Sequence, residues 1–199
     1  MQIIPAILTS DPLELDSLLR QVGDSKKYSR VQIDFVDGEY AANRTFKPME
    51  ADLIPYLPLK FDAHLMVTEN NIVEWSLMAE KFGFERVIAQ VEAISHPEEF
   101  TALALDVHSP VRTIEPYLKR LKLVVVMAVE PGFGGQEFSD EVIKKIKRLS
   151  SLRDQSKSKS KYKYEICVDG GIEQEHLPIL QQAGADSVAV GVKRVLEWI

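Results

Sequence analysis

Eight short apolar runs divide this chain, and they restrict the folds open to it more than any other feature. They read QIIPAIL (2–8), RVQIDFV (30–36), KFDAHLMV (60–67), RVIAQVE (86–92), TALALDV (101–107), LVVVMAVE (123–130), YEICVDG (164–170) and DSVAVGV (186–192). Each is strand-length, and most are rich in Val and Ile, as parallel strands buried on both faces are. Helical patterns separate many of them. Pro12-Leu13-Glu14-Leu15 opens one after Asp11, an N-cap residue followed by Pro in the first turn. Residues 71–82 and 139–152 read similarly, and 174–183 ends at Gly184, a C-cap signal. Eight strands joined by right-handed helical crossovers predict a (β/α)8 TIM barrel. The same alternation would permit an open doubly wound sheet, but the count of eight favours the closed barrel.

At 199 residues the chain suits a single domain spanning 1–199. It is nonetheless short for such a barrel, which typically takes about 250 residues. One connection accounts for part of the difference. Only residues 93–100 join the fourth run to the fifth, where a parallel crossover usually needs a dozen or more. The fourth helix is therefore expected to be shortened or missing, with the barrel flank thinly covered there. A second copy of the chain could cover that flank, so a homo-oligomer is expected.

The net charge of −6 argues against nucleic acid as a partner. The one cysteine, Cys167, rules out an internal disulfide and fits a reducing compartment. The segment MQIIPAILTSD has no basic leader region, and no apolar run approaches a membrane span. A cytoplasmic protein without membrane association is expected. The basic stretch SKSKSKYKY (156–164) reads as a solvated loop between helix and strand on the non-catalytic face.

Strand parity gathers polar residues on one face. Side chains two apart in a strand point the same way. Gln32 and Asp34 therefore share a face, as do Asp62, His64 and Met66, then Gln90 and Glu92, then Cys167 and Asp169. Burying such groups is costly unless they pair, coordinate or do chemistry. Four strands agreeing point to a shared polar site at the carboxyl ends, where barrels of this kind place their chemistry. Glycine-rich turns form a second constellation. Pro131-Gly132-Phe133-Gly134-Gly135-Gln136 follows the sixth run, Asp169-Gly170-Gly171 the seventh, and Gly191 ends the eighth. Glycines let backbone N–H groups approach an anion closely. Together these turns point to a phosphorylated small molecule.

PAIL (5–8), DFVDG (34–38), DAHLMV (62–67), VVMAVEPGFGGQ (125–136) and VDGG (168–171), in this order and spacing, resemble the ribulose-phosphate 3-epimerase family. The resemblance runs over nearly the whole chain. It implies a barrel of the pentose phosphate pathway that acts on a phosphorylated ketose, D-ribulose 5-phosphate or D-xylulose 5-phosphate, with a divalent metal (Zn, Fe, Mn or Mg) and two carboxylates. Carried over position by position, Asp34 and Asp169 resemble the paired acid and base and also metal ligands. His64 resembles a third ligand and a substrate contact, and Met66 with Met127 the sulfur-lined wall. Gly132, Phe133, Gly134, Gly135, Gly170, Gly171, Gly191 and Val192 resemble the phosphate side.

Several positions depart from the family pattern. Gln32 stands where the family has its fourth ligand, a histidine. Ala6 replaces a substrate-contacting serine, which removes about 0.5–1.5 kcal/mol of hydrogen bonding. Val192 replaces a phosphate-contacting serine, and Gln90 stands where strand four usually carries histidine. A glutamine carbonyl is a harder, poorer ligand for zinc or iron than imidazole, so metal binding should weaken and drift toward Mn²⁺ or Mg²⁺. Two alternatives follow: a weakened or inactive phosphosugar-binding relative, and an epimerase for a six-carbon ketose phosphate.

Other residues are assigned structural roles. Asp37-Gly38 reads as the turn ending strand two, Cys167 as barrel core, and Trp75 and Trp198 as packing. His96 and His176 read as solvated. His108 reads as a loop residue that could still reach the site. Glu92 reads either as functional or as paired with a neighbouring strand.

Overall fold

The computed structural model describes residues 1–157 and 162–198. Eight strands form a closed barrel in sequence order, every neighbouring pair parallel. They are β1 Gln2–Ile7, β2 Arg30–Val36, β3 Lys60–Met66, β4 Arg86–Gln90, β5 Ala102–Leu105, β6 Leu123–Met127, β7 Glu165–Asp169 and β8 Ser187–Gly191. β1 closes on β8 with Ile4 opposite Ala189 and Ala6 opposite Gly191. All eight runs read from the sequence are strands.

The helices are α1 Pro12–Ser25, α2 Glu69–Lys81, α3 Val142–Lys157, α4 Leu177–Ala183 and α5 Val192–Glu197. Asp11 caps α1 by accepting the Leu13 N–H at 2.9 Å. Gly184 ends α4 at a φ of 107°, a left-handed conformation that favours glycine. The run 174–183 is not one helix, since a 3-10 turn at Gln174–His176 precedes α4.

The β4–β5 connection holds only a 3-10 turn, Pro97–Glu99, so the fourth helix is absent as expected. Two further crossovers also lack an α-helix, which the sequence pattern did not reveal. β2 joins β3 through 3-10 turns at Pro48–Glu50 and Ile54–Tyr56, and β5 joins β6 through Val111–Thr113 and Glu115–Tyr117. Pro48, Pro55, Pro58, Pro110 and Pro116 fall in these connections; each lacks the N–H that a helix interior needs. These economies explain a barrel built from so short a chain. Where the fourth helix would lie, a groove of about 670 Å³ opens on the flank, lined in part by Val73, Leu77, Phe84 and Phe100.

Two apolar cores result. One lies between strands and outer helices. The other fills the barrel with small residues: Ala6, Ala102, Ala104, Val125, Cys167 and Ala189 among them. Cys167 is therefore barrel core, and Trp75 and Trp198 pack in the outer layer. Asp62 is fully buried, but low in the barrel, where it accepts hydrogen bonds from Arg30 and from Arg86, whose Nε lies 2.8 Å away. Its parity is that of His64, yet it belongs to a charged plug at the amino end. Residues 158–161 of the basic stretch 156–164 lie outside the described residues. At its end Tyr164 is buried, and its hydroxyl donates to Leu149 O at 2.8 Å.

Candidate active site

Asp34 and Asp169 face one another from β2 and β7 at the carboxyl end of the barrel. Parity directs both inward, and the register sets their height: Asp34 lies opposite His64 on β3, and Asp169 opposite Met127 on β6. His64 and Gln32 are almost wholly buried beneath them. The Gln32 side-chain nitrogen donates to Asp34 Oδ1 at 2.8 Å and to Asp169 Oδ2 at 2.7 Å. It also lies 3.4 Å from His64 Nδ1. That same Nδ1 is 3.3 Å from Asp34 Oδ1 and 3.5 Å from Asp169 Oδ2. The far ring nitrogen of His64, Nε2, meets the Gln90 amide at 2.9 Å.

Electrostatics follow from this crowding. Burial raises the Asp34 carboxyl above its ordinary value, the hydrogen bond from His64 opposes the rise, and the charge of Asp169 adds to it. Burial alone would lower His64, but Asp169 and Asp34 beside it outweigh this and lift the imidazole to about 9.

One ligand atom each from Asp34, His64 and Asp169 can be chosen within 4.8 Å of one another. Two carboxylates and an imidazole at that spacing fit a divalent cation. The amide of Gln32 completes the set only with its carbonyl turned inward, since an N–H donor cannot coordinate.

A cavity of about 390 Å³ opens above the cluster. Ala6, Asp34, His64, Met66, Met127 and Asp169 line its inner end. Its outer side is formed by Gly132, Phe133, Gly134 and Gly135 after β6, by Gly170 and Gly171 after β7, and by Gly191 and Val192 at β8. The structure thus brings the carboxylate, histidine, methionine and glycine-loop candidates into one place, with Gln32 just below the cavity floor. At Gly171 (φ 65°) a Cβ would lie 2.6 Å from the backbone nitrogen of Phe138, so glycine is required for the two loops to meet.

Among the cavity residues that escaped the sequence reading are three charged ones near β8 and α1. Lys193, Arg194 and Glu14 line its outer side, and Lys193 Nζ donates to Glu14 Oε1 at 2.9 Å. Two cations directly after Gly191-Val192 were a visible signal. His108 does not join the cluster; it is exposed and lies 2.6 Å from Glu130 Oε1. Glu92 ties strand ends together by accepting the Asp106 N–H at 2.9 Å. His96 is exposed, as expected. His176 is not simply solvated: it stacks on Phe138, with centroids 4.4 Å apart, and its Nδ1 accepts the Glu173 N–H at 3.0 Å. Asp37 is the structural turn residue expected, its carboxylate accepting N–H bonds from Glu39 (2.8 Å), Tyr40 (2.9 Å) and Thr68 (2.8 Å).

The model of the ribulose-phosphate 3 epimerase family matches residues 2–194. The chain belongs to that family. The ribulose-phosphate 3-epimerase of Bacillus subtilis (strain 168) is 31% identical over 96% of this chain and 90% of its own length. That of Treponema pallidum (strain Nichols) is 30% identical over 95% and 88%. Both names denote isomerases, and this chain is an enzyme of that family. A tryptophan synthase complex from Pyrococcus furiosus shares the fold, with a TM-score of 0.60 at 18% identity over 98% of this chain and 88% of that one. No helix among the described residues is long and apolar enough to cross a membrane. Gln32 and Gln90 stand on opposite sides of one histidine, at His64 Nδ1 and Nε2 respectively.

Proposed function

We propose that this protein interconverts D-ribulose 5-phosphate and D-xylulose 5-phosphate by moving a proton at C3 between two carboxylates. The observation that carries the reading is the pairing of Asp34 and Asp169 across the barrel mouth, both bonded to the one amide nitrogen of Gln32. Inversion at C3 needs a base on one face and an acid on the other. One carboxylate takes the C3 proton, and the electron pair left behind delocalises onto the neighbouring C2 carbonyl oxygen. The carboxyl opposite returns a proton to the other face. Burial favours the neutral form of Asp34, which suits it to holding a proton. Met66 and Met127 form an apolar wall, both nearly inaccessible to water. The glycine loops, with Lys193 and Arg194, offer N–H groups and positive charge to the 5-phosphate.

Asp34, His64 and Asp169, with the Gln32 carbonyl, would hold a divalent cation: zinc, iron, manganese or magnesium. Such an ion would offset negative charge on the carboxylates and on the substrate oxygens.

A second reading is a phosphosugar-binding relative without turnover. It is favoured by the Gln32 amide, which in its present orientation satisfies both carboxylates at once. Incubation with ribulose 5-phosphate in D₂O, with added Mn²⁺ or Zn²⁺, separates the two. The proposal expects exchange at C3, followed by NMR, and its loss in Asp34→Asn and in Asp169→Asn. Ligand binding without exchange under any metal would establish the binder instead. Exchange restricted to a six-carbon ketose phosphate would move the substrate assignment.

A further inference from the structure

We infer that Gln90 is a positioning residue for His64, accepting a hydrogen bond from Nε2–H so that Nδ1 presents its lone pair to the gap between Asp34 and Asp169. The inference builds on the cation site described under Proposed function.

His64 has one ring nitrogen on each side of a boundary. Nδ1 faces the carboxylates at 3.3 and 3.5 Å. Nε2 faces strand β4, where the Gln90 amide is 2.9 Å away. A neutral imidazole carries its proton on only one nitrogen, and it can ligate only through the other. If Nδ1 is to ligate, Nε2 must hold the proton and needs an acceptor. Ligating histidines regularly have such an acceptor on the far nitrogen, which fixes both tautomer and ring direction.

Gln90 is the group placed to supply it. Its side chain is fully buried, opposite Ala104 of β5, among the small apolar residues that fill the barrel. The amide nitrogen points to Nε2, and among the described residues the carbonyl oxygen, Oε1, has no hydrogen-bond partner. No other hydrogen bond among the described residues therefore commits the amide to either orientation. Turning it by half a rotation places Oε1 at the nitrogen's position against Nε2, with no change in shape. With the nitrogen there instead, Nε2 must accept, Nδ1 must carry the proton, and the ring cannot ligate through Nδ1. The orientation of one buried amide thus decides whether His64 is a ligand. Gln90 touches neither substrate nor cation and acts only through the imidazole.

The test uses protein with ¹⁵N-labelled histidine, alone and loaded with Zn²⁺, compared among wild type, Gln90→Met and Gln90→Glu. Two-bond ¹⁵N–¹H patterns report the His64 tautomer, and solvent exchange reports the protection of Nε2–H. In the Zn²⁺-loaded wild type we expect the Nε2–H tautomer with a slowly exchanging proton. Methionine keeps the volume but cannot accept in this way. Gln90→Met should lose the protection and bind Mn²⁺, read by paramagnetic resonance, about 10–100-fold more weakly. Glutamate keeps an acceptor at the same reach, so Gln90→Glu should retain the tautomer and slow the exchange further. An unchanged tautomer, exchange rate and Mn²⁺ affinity in folded Gln90→Met would overturn the inference. If that variant does not fold, unchanged Nε2–H exchange in Gln90→Glu overturns it equally. A wild type that shows the expected signature but exchanges no C3 proton supports the role of Gln90 while the reading of the reaction fails.

Discussion

Gln32 on β2 reaches across the barrel to Asp169 on β7, its side-chain nitrogen 2.7 Å from Oδ2. The same nitrogen holds Asp34 at 2.8 Å, so one neutral amide links two carboxylates that would otherwise repel. A cation bound between them would take over that role, and Gln32 would have to turn its carbonyl inward. The amide and the ion compete for the same oxygens.

Replacing Gln32 with histidine should therefore strengthen metal binding. Imidazole does not donate to both carboxylates at once, and it suits zinc better than an amide carbonyl does. Gln32→His should raise Zn²⁺ affinity about tenfold or more, the scale of other changes around a metal site. Its preference for Zn²⁺ over Mn²⁺ should rise in parallel. Competition against a chelating dye, with each ion in turn, measures both. Equal affinities in wild type and variant would show that the amide does not limit the site.

Metal binding should also depend steeply on pH. His64 is lifted to about 9 by the carboxylates beside it, so below that value the ring carries a proton on each nitrogen. A cation arriving at Nδ1 must displace one of them. Affinity for Mn²⁺ should rise about tenfold per pH unit between neutrality and roughly 9, then level off, with about one proton released per ion in unbuffered titration. A flat profile over that range would mean that the imidazole is not displaced, and His64 would not be a ligand.

At the other end of the barrel, Asp62 is fully buried between Arg30 and Arg86. Removing it leaves two guanidinium groups with little access to water, each retaining only a more exposed carboxylate, Glu85 for Arg30 and Glu165 for Arg86. Asp62→Ala should lower stability by about 3–5 kcal/mol in urea unfolding. Replacing all three charges by apolar residues of similar volume should be close to neutral, because the cost of burying the charges disappears with them. A mild effect of Asp62→Ala alone would indicate that Glu85 and Glu165, or water, neutralise the arginines without Asp62.

The uneven legibility of the chain has a geometric cause. Alternation along a strand tells which face a side chain occupies, so Gln32, Asp34, His64, Met66 and Asp169 were readable as inward-facing. It does not tell height within the barrel, which depends on register between tilted strands. Asp62 has the parity of His64 but pairs with Gln32 rather than Asp34, and that one step puts it among the arginines. The missing crossover helices were legible only where the connection was too short to hold one. After β2 and β5 the chain is long enough for a helix, so length gave no warning, and only the prolines in those connections spoke against one. The contact between Gln90 and His64 joins neighbouring strands, 26 residues apart in sequence, and no local pattern announces it.

Asp37 offers a test of stability that leaves the carboxylate pair untouched. It ends β2 beside the site and ties that strand to the start of α2, accepting from the backbone of Thr68 and from Asn71 Nδ2 at 2.9 Å. Burial would raise its carboxyl, but hydrogen bonds from the backbone of Tyr40 and Thr68, from Asn71 and from the Glu39 backbone outweigh it and hold it below the ordinary aspartate value. A carboxyl lowered in the folded state binds fewer protons there than in the unfolded chain between the two values, so stability rises with pH across that window. The contribution of Asp37 is complete above about pH 4, the unfolded value, and is lost as pH falls through the folded one. Asp37→Asn places an amide against several donors and should destabilise by about 1–3 kcal/mol at neutral pH. As pH falls through the lowered folded value the wild-type carboxyl itself becomes neutral, so the two unfolding curves should draw together. A gap between them that stays constant from pH 7 to pH 2 would show that the ionised form of Asp37 gives the fold nothing beyond its shape.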